Sequence, residues 1–225
     1  MSTTTSTPFV DTDQMVAVHT MYRRELRLAP AAVRRVAAGD VARAEVVADH
    51  VALVTRSLHE HHTTEDELLW PLLLERVPDE LAPVVHLMES QHETVDALLQ
   101  EVGEALPRWR ATAAAEDRDR LADLLGRAYV HLVEHLDAEE QRLLPIAART
   151  CTPAEWKLLG STARAKGPTG ADGMVVLGMI VQDGDPAAVQ RMLGDAPPPV
   201  RWLLPRIARR AYRRRALAVH GTATP

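Results

Sequence analysis

One motif occurs twice in this chain and restricts the possible fold more than any other feature. Written H-x-x-x-E-[DE]-x-x-L-[LW]-P, it begins at His61 and again at His135. On an α-helix, residues four positions apart lie on one face, with Cβ atoms about 5–6 Å apart. Each copy therefore sets an imidazole beside a carboxylate, which belongs to Glu65 in the first copy and to Glu139 in the second. Two such helices facing each other would make a metal site.

The composition favours helices around that site. Aromatic residues make up only 4% of the chain, whereas alanine, leucine, valine, arginine and glutamate dominate. No stretch has a convincing strand pattern, and 46% hydrophobic residues are enough to fill a core. We therefore expect an all-α protein, an up-down-up-down four-helix bundle with a short C-terminal helical extension.

Four long amphipathic helices are predicted, and prolines mark several of their limits. The predicted helices cover about residues 11–29, 41–76, 78–106 and 117–149. Pro30 is expected to end the first helix, and Pro71 to kink the second one turn after the motif. Pro107 is expected to begin the turn before the fourth helix.

Each helix carries an apolar stripe at 3- and 4-residue steps, and each stripe contains a histidine. The polar members of these stripes are His19, His61, Glu65, His92, His135 and Glu139. Burying such groups without partners costs several kcal/mol. A lone core histidine is more often a hydrogen-bonded structural residue than a ligand. Six such groups on four helices favour a shared metal site over a purely structural polar network.

The chain divides into three predicted parts. Residues 1–10 are rich in serine and threonine and are predicted to be disordered. Residues 11–150 form the predicted bundle, and residues 151–225 a helical extension with a basic last helix. Within the extension, Thr152 and Glu155 have the spacing of a capping box, which predicts a helix start.

Charge is distributed unevenly along the chain. All 31 acidic residues lie at or before Asp195, and seven of the 26 basic residues follow it. An apolar stripe of the last helix is expected to pack on the acidic bundle and comprises Trp202, Leu203, Ile207, Ala211 and Leu217. We therefore favour a neutralising contact, within the chain or across a homodimer, over a membrane surface or nucleic acid. The sequence has no helix-turn-helix, zinc-finger or glycine-rich phosphate motif that would support a nucleic-acid partner.

The single cysteine, Cys151, excludes an intrachain disulfide and fits a reducing compartment. The first residues lack the basic and apolar regions of an export signal. No apolar run approaches the roughly 18 residues that cross a bilayer. We therefore expect a cytoplasmic protein without a membrane span.

The ligand types narrow the choice of metal. Imidazole and carboxylate without thiolate suit iron, manganese or zinc, and two carboxylates able to bridge suit a pair of iron ions. A structural zinc site would be closed by four ligands and would leave at least two of these residues unexplained.

The segments that carry the histidines resemble the hemerythrin-like, or HHE cation-binding, family. They are His19 on the first helix, HHTTEDELLWP on the second, SQHETVDALL on the third and HLDAEEQRLLP on the fourth. The resemblance covers about residues 11–150 and implies a four-helix bundle around two iron ions, a non-heme di-iron centre with carboxylate and oxo bridges. It matches Glu65 and Glu139 to the bridging carboxylates. The terminal ligands that it implies are His19, His61, His92 and His135.

One histidine of the usual five has no assigned position. Oxygen-carrying hemerythrins have two histidines four residues apart on the third helix, whereas Met88 and Asp96 flank His92 at that spacing. His62 is the first candidate and His131 the second, although either can be a surface or supporting residue. The predicted ligand set is His19, His61, His62, Glu65, His92, His135 and Glu139.

The resemblance implies a protein that binds dioxygen or a related small ligand, such as nitric oxide or peroxide, for sensing, storage or detoxification. A missing histidine would leave an open coordination position, which argues against simple reversible oxygen carriage. The alternative is a di-iron oxidase or peroxidase that acts on peroxide or an organic substrate, with the C-terminal extension lining its pocket. A third reading is a metal-free interaction module, which would tolerate the loss of His61 and Glu139.

Overall fold

The regular structure is helical throughout the described part of the chain. The computed structural model describes residues 10–194 and 196–225, and no strand occurs within those ranges. The prediction of an all-α protein is confirmed. The predicted disordered N-terminus falls mostly on residues 1–9, which lie outside the described residues. Val10 is buried, and its N–H donates to the carbonyl of Ala148 at 2.9 Å.

The described helices include two short π-helical turns, named π1 and π2. The elements in chain order are α1 Asp13–Arg34, α2 Val41–Thr64, π1 Glu65–Leu69, α3 Trp70–Arg76, α4 Pro78–Thr112, α5 Ala115–Ala138, π2 Glu139–Leu143, α6 Leu144–Thr150, α7 Pro153–Lys166, α8 Gly170–Asp183, α9 Pro186–Met192 and α10 Pro198–His220. None of these helices, within the ranges described, is long and apolar enough to cross a membrane.

Helices α1, α2, α4 and α5 surround the main core. Helix α1 packs against α2 and α5, and α4 packs against the same two helices. The predicted inward stripe of α1 is buried, including Tyr22 and Leu26. Val54 of α2, Val95 of α4 and Leu125 of α5 are buried in the same core. Apolar residues at helical spacing therefore fill the space between the four helices.

Both copies of the motif contain a π turn that begins at the motif glutamate. The N–H of Trp70 donates to the carbonyl of Glu65, and that of Leu144 donates to the carbonyl of Glu139, five residues back in each case. A proline follows at once in both copies. In an α-helix, a proline ring crowds the carbonyl four residues earlier, and the wider π turn relieves this crowding. The kink expected at Pro71 is therefore a widened turn that starts at the glutamate.

The first π turn shifts the buried face of the helix by one residue. At a regular helical period, the inward stripe of His61 and Glu65 continues through Leu68 and Leu72. Leu69 and Leu73 are buried instead, whereas Leu68 and Leu72 are partly exposed. That part of the stripe prediction was wrong, because a π turn accommodates one residue more than an α-helical turn.

Two prolines that were expected to end helices lie inside them. Helix α1 continues beyond Pro30, and α4 continues beyond Pro107. Each proline removes one backbone hydrogen bond, but the buried Val33 and Trp109 follow and anchor the last turns. Helix α4 ends where Ala113 adopts a left-handed conformation, with φ 48°.

The C-terminal extension packs along one side of α1 and α2. Helix α7 begins at the predicted capping box: the Glu155 carboxylate accepts the Thr152 N–H at 2.8 Å, and the Thr152 hydroxyl accepts the Glu155 N–H at 3.4 Å. Helix α7 packs on α2 and π1, while α8 and α9 pack on α1. Helix α10 lies against α8 and α2.

Helix α10 turns a different face inward than the sequence predicted. The exposed apolar residues of the predicted stripe are Trp202, Leu203, Ile207 and Leu217. The buried face comprises Ala208, Tyr212, Ala216 and Val219. The reason is the close approach of α8, because a Cβ added to Gly178 would overlap the carbonyl of Ala208. The tail therefore packs within the chain, and a homodimer stays a prediction.

A buried polar network fastens α10 and α8 to α1 and α2. The Glu25 carboxylate accepts hydrogen bonds from Tyr212 at 2.7 Å, Arg24 at 2.8 Å and His50 at 2.9 Å. Burial alone would raise the pKa of Glu25, but these donors and the Arg24 charge lower it to about 2. The His220 ring packs edge-on against His50, with centroids 5.5 Å apart. The network thus holds an ionised carboxylate inside the protein.

Candidate metal centre

The polar residues of the four apolar stripes meet in one buried cluster beside the two π turns. Helices α1, α2, α4 and α5 supply the histidines, and each π turn begins with one of the two glutamates. Each of these histidines and glutamates is at most 8% exposed. The cluster contains all seven predicted ligands, which are His19, His61, His62, Glu65, His92, His135 and Glu139.

Four of these residues form what we call the first ligand group. It consists of His19, His61, Glu65 and Glu139, with one potential ligand atom of each within 4.8 Å of the others. His19 Nε2 lies 3.3 Å from Glu139 Oε2, and His61 Nε2 lies 3.2 Å from Glu65 Oε1. Two imidazoles and two carboxylates form a ligand set that suits iron, manganese or zinc.

The remaining three residues form the second ligand group. It consists of His62, His92 and His135, whose potential ligand atoms again lie within 4.8 Å of one another. The Nε2 atoms of His92 and His135 are 3.1 Å apart, and the His62 ring stacks on the His92 ring at a centroid distance of 4.2 Å. This group offers imidazole nitrogens only.

The two carboxylates of the first group also reach the second. Glu65 Oε2 lies 3.8 Å from His92 Nε2, and Glu139 Oε2 lies 3.8 Å from His135 Nε2. Since Glu65 Oε1 faces His61, its two oxygens face different groups. The arrangement therefore has two adjacent sets of nitrogen donors with carboxylates between them, which suits two metal ions better than one.

The two candidates for the fifth histidine lie in different surroundings. His62 is fully buried in the second group, and its Nδ1 is 3.7 Å from Asp96 Oδ1. His131 is 42% exposed and lies 3.6 Å from Glu134. The fold therefore brings His62 into the cluster and leaves His131 on the surface.

Burial pushes the titratable groups of the cluster toward their neutral forms. Burial and the neighbouring imidazoles lower the pKa of His61 well below its usual value, and burial lowers the pKa of His62 to about 4. Burial raises the pKa of Glu65 well above its usual value, and the nearby Glu139 raises it further. Burial also raises the pKa of Glu139. A bound cation would keep both carboxylates ionised while the neutral imidazoles remain free to coordinate it.

The cluster also contains buried polar atoms that have no hydrogen-bond partner among the described residues. They include Nε2 of His19 and His61, both ring nitrogens of His62, and both carboxylate oxygens of Glu65 and Glu139. Each such atom costs about 1–3 kcal/mol when it stays unpaired. Metal ions between these atoms would satisfy them, so the residues present fit a pair of metal ions.

A second acid in each motif supports a histidine from another helix. Asp66 Oδ1 accepts a hydrogen bond from His92 Nδ1 at 2.8 Å, and Glu140 Oε1 accepts one from His19 Nδ1 at 2.9 Å. These bonds leave Nε2 of both rings for the cluster. Sequence reasoning missed this role, although the repeated acid after each motif glutamate was a usable signal.

A cavity of about 450 Å³ lies beside the first ligand group. Its inner wall includes His61, Glu65 and Tyr22, whose hydroxyl donates to the carbonyl of Ser57 at 2.8 Å. Residues of α7 and α8 form much of its outer wall. The extension therefore lines a pocket next to the cluster, as the enzyme alternative expects.

Comparison with known proteins assigns the chain to a family. The hemerythrin HHE cation binding domain matches residues 10–147, which make up more than half of the chain and include all seven cluster residues. No curated protein and no solved structure matches the chain. The matched region contains the four helices, both π turns and the two ligand groups. The chain therefore belongs to the hemerythrin HHE cation-binding family.

Proposed function

We propose that this protein is a non-heme di-iron protein that binds dioxygen or a related small ligand, such as nitric oxide or peroxide. Its role would be sensing, storage or detoxification, with α1, α2, α4 and α5 as an up-down-up-down bundle around the metal pair. The observation that carries the proposal is the pair of adjacent ligand groups with two carboxylates between them. A single ion would leave one group without a role.

The proposed roles follow the two groups. His19 and His61 would hold one iron, and the three histidines of the second group would hold the other. Glu65 and Glu139 would each contribute to holding both ions, because each carboxylate lies within 4 Å of a histidine from each group. When bound, the iron pair supplies the electrons that allow dioxygen to bind or be reduced.

The residues around the ligands hold them in place. Asp66 and Glu140 fix the orientation of His92 and His19 through the hydrogen bonds to Nδ1. The first group has one imidazole fewer than the second. We infer that a small ligand binds on the side of the first group, where the cavity reaches His61.

The cavity gives specific support to the enzyme alternative. A diatomic ligand needs little more room than a water molecule, which occupies about 30 Å³ in the liquid. The cavity is about 450 Å³ and borders the first group. In the enzyme alternative, an oxidase or peroxidase acts on an organic substrate held in this cavity.

The test is an optical spectrum of the reduced, iron-loaded protein before and after air is admitted. We expect new near-ultraviolet charge-transfer bands in the wild-type protein, and their loss or marked change in His62→Ala. His131→Ala is the matched control, because that exposed histidine lies outside the cluster, and it should retain the wild-type bands. A wild-type spectrum without such bands would contradict the proposal.

A further inference from the structure

The cavity beside the first ligand group has the size of an organic ligand site. Pockets for small organic molecules commonly measure about 300–1,000 Å³, and this cavity is about 450 Å³. It lies between α1 and α2 on one side and the extension on the other. Its inner end reaches Tyr22, His61 and Glu65. A molecule that fills it would therefore extend from the extension to the metal centre.

The middle of the cavity is apolar and adaptable. Thioether and branched aliphatic side chains line it, including Met15, Met21, Met174, Val176, Leu177 and Ile180. Several of these side chains are partly exposed because they border the cavity. Methionine has three rotatable bonds and fits irregular apolar shapes. The body of the bound molecule is therefore hydrocarbon or aromatic.

Two charged residues of the lining determine which way such a molecule lies in the cavity. Arg164 of α7 is exposed at the cavity wall and has no ion pair or hydrogen bond to another residue in the described part of the chain. Glu60 of α2 lies on the wall formed by the same helix as His61. An anionic group is attracted to Arg164 and repelled by Glu60. The apolar end is thus directed toward the metal centre.

We propose that this cavity binds an apolar organic molecule with one anionic end, such as a carboxylate on a hydrocarbon chain. The anionic group lies at Arg164, the hydrocarbon body lies along α8, and the far end lies at Tyr22 and His61. This inference rests on the proposed function in one respect, since a reaction of the bound molecule would need the metal centre. Binding itself depends on the cavity walls.

The test uses the full chain, in iron-loaded and metal-free form, and two probes of matched length. Isothermal titration calorimetry with decanoate should show saturable binding at one molecule per chain. Decanol, which has the same chain without the charge, should bind about tenfold more weakly. Equal affinity for the two probes would overturn the anionic assignment.

Three variants locate the site. Gly160→Leu adds a side chain at a residue that lines the cavity. The atom nearest to a new Cβ is Nη1 of the flexible Arg164 side chain, at 3.7 Å, so the substitution meets no backbone. Leucine also has a higher helix propensity than glycine in the interior of α7. We expect Gly160→Leu to weaken decanoate binding at least tenfold. Ala163→Trp fills the same space from the next turn and serves as the second blocking variant. Arg164→Gln should weaken decanoate about tenfold and leave decanol within twofold. Arg210→Gln on α10 is the charge-matched control, and it should change neither affinity.

The outcomes separate this inference from the proposed function. Protein that takes up no iron when iron is supplied, but binds decanoate in the way described, contradicts the di-iron proposal and supports the cavity site. Iron-loaded protein without saturable decanoate binding overturns the cavity site and leaves the di-iron proposal standing. Binding that neither blocking variant weakens, in protein with wild-type helix content, also overturns the cavity site.

Discussion

At the residue scale, the candidate metal centre depends on pairs of side chains as much as on single candidate ligands. Asp66 accepts hydrogen bonds from both His92 Nδ1 and Trp70 Nε1, at 2.8 Å and 2.6 Å. These contacts hold the carboxylate beside the ring and keep His92 Nε2 directed into the second ligand group. Burial alone would raise the pKa of Asp66, but the hydrogen bonds from His92 and Trp70 lower it below its usual value. The ionised form of the Asp66 carboxyl is therefore favoured.

Replacing Asp66 should therefore weaken metal binding without removing a ligand. Asp66→Asn keeps the size of the side chain but removes the charge that orients the His92 ring. Loss of such a supporting carboxylate typically weakens metal affinity by about 10–100-fold, and we expect a change in that range. Competition with a chelator measures it. Glu67→Gln, at the neighbouring exposed residue that pairs with Lys166, is the matched control. Wild-type affinity in Asp66→Asn would contradict the positioning role.

Glu25 supports a prediction on stability rather than on metal binding. Its folded-state pKa of about 2 lies below the ordinary value of 4.5. The ionised carboxylate therefore stabilises the fold fully above about pH 4.5, and this contribution is lost as the pH falls toward 2. Glu25→Gln should lower the free energy of unfolding at pH 7 by about 3 kcal/mol.

Urea unfolding of wild type and Glu25→Gln at pH 7 and at pH 3 tests this prediction. The difference between the two proteins should be large at pH 7 and clearly smaller at pH 3. Glu45→Gln is the control, because Glu45 pairs with Arg110 at the surface, and it should change stability little at either pH. If Glu25→Gln lowers the free energy of unfolding by the same amount at both pH values, the ionised Glu25 carboxylate is not the stabilising group.

Residue spacing identified six members of the cluster, and the family resemblance added His62 as a candidate, but neither identified their partners. His61 and Glu65 sit four positions apart on one helix, and this local geometry can be read from the chain. The contacts of Asp66 with His92 and of Glu140 with His19 join residues 26 and 121 positions apart. Their pairing depends on which helices become neighbours. The role of the seven residues as metal ligands stays a prediction.

At the element scale, helix existence followed from the apolar stripes, whereas helix limits and phase did not. Pro30 and Pro107 favour helix ends, but tertiary packing of the following turns outweighs one lost hydrogen bond. The π turns are also invisible to a fixed 3.6-residue period. They place Glu65 and Glu139 at the start of a widened turn, with the supporting acid directly after each.

The contact between α8 and α10 gives an element-scale prediction. A Cβ on Gly178 would overlap the carbonyl of Ala208 and lie 2.7 Å from Tyr212 Cβ, so a larger residue must push the helices apart. Gly178→Ala should therefore destabilise the protein by about 1–3 kcal/mol. Thermal unfolding measures this change.

The control for this substitution is Gly103→Ala in α4. A Cβ at Gly103 meets nothing within 4 Å, and alanine stabilises an open helical position by roughly 0.5–1 kcal/mol relative to glycine. The two alanine variants should therefore shift the melting temperature in opposite directions. A stabilised Gly178→Ala would contradict the close packing of α8 on α10.

At the scale of the whole molecule, one family domain and one extension together form the environment of the candidate metal centre. The family match ends at residue 147, whereas the cavity is lined on its outer side by residues of α7 and α8. The extension thus adds a wall to the site. The sequence predicted this lining only as an alternative, because neither periodicity nor composition shows where a surface helix will dock.

The face of α10 illustrates the same difficulty. Trp202 and Ile207 are more apolar than Ala208 and Ala216, so hydrophobicity alone chose the wrong face. Close approach to Gly178 favours small residues, and this requirement appears only when two distant helices are packed together. The assignment of the tail to contacts within the chain needed the structure.

The central claim is that the two ligand groups hold two iron ions. Metal quantification on wild-type protein, purified after expression with added iron, tests it most directly. A His61→Ala/Glu139→Ala variant serves as the control, because it lacks one histidine and one bridging carboxylate and should lose metal. The account predicts about two irons per wild-type chain, since each group supplies enough donors for one ion. Fewer than one transition-metal ion per wild-type chain would contradict it.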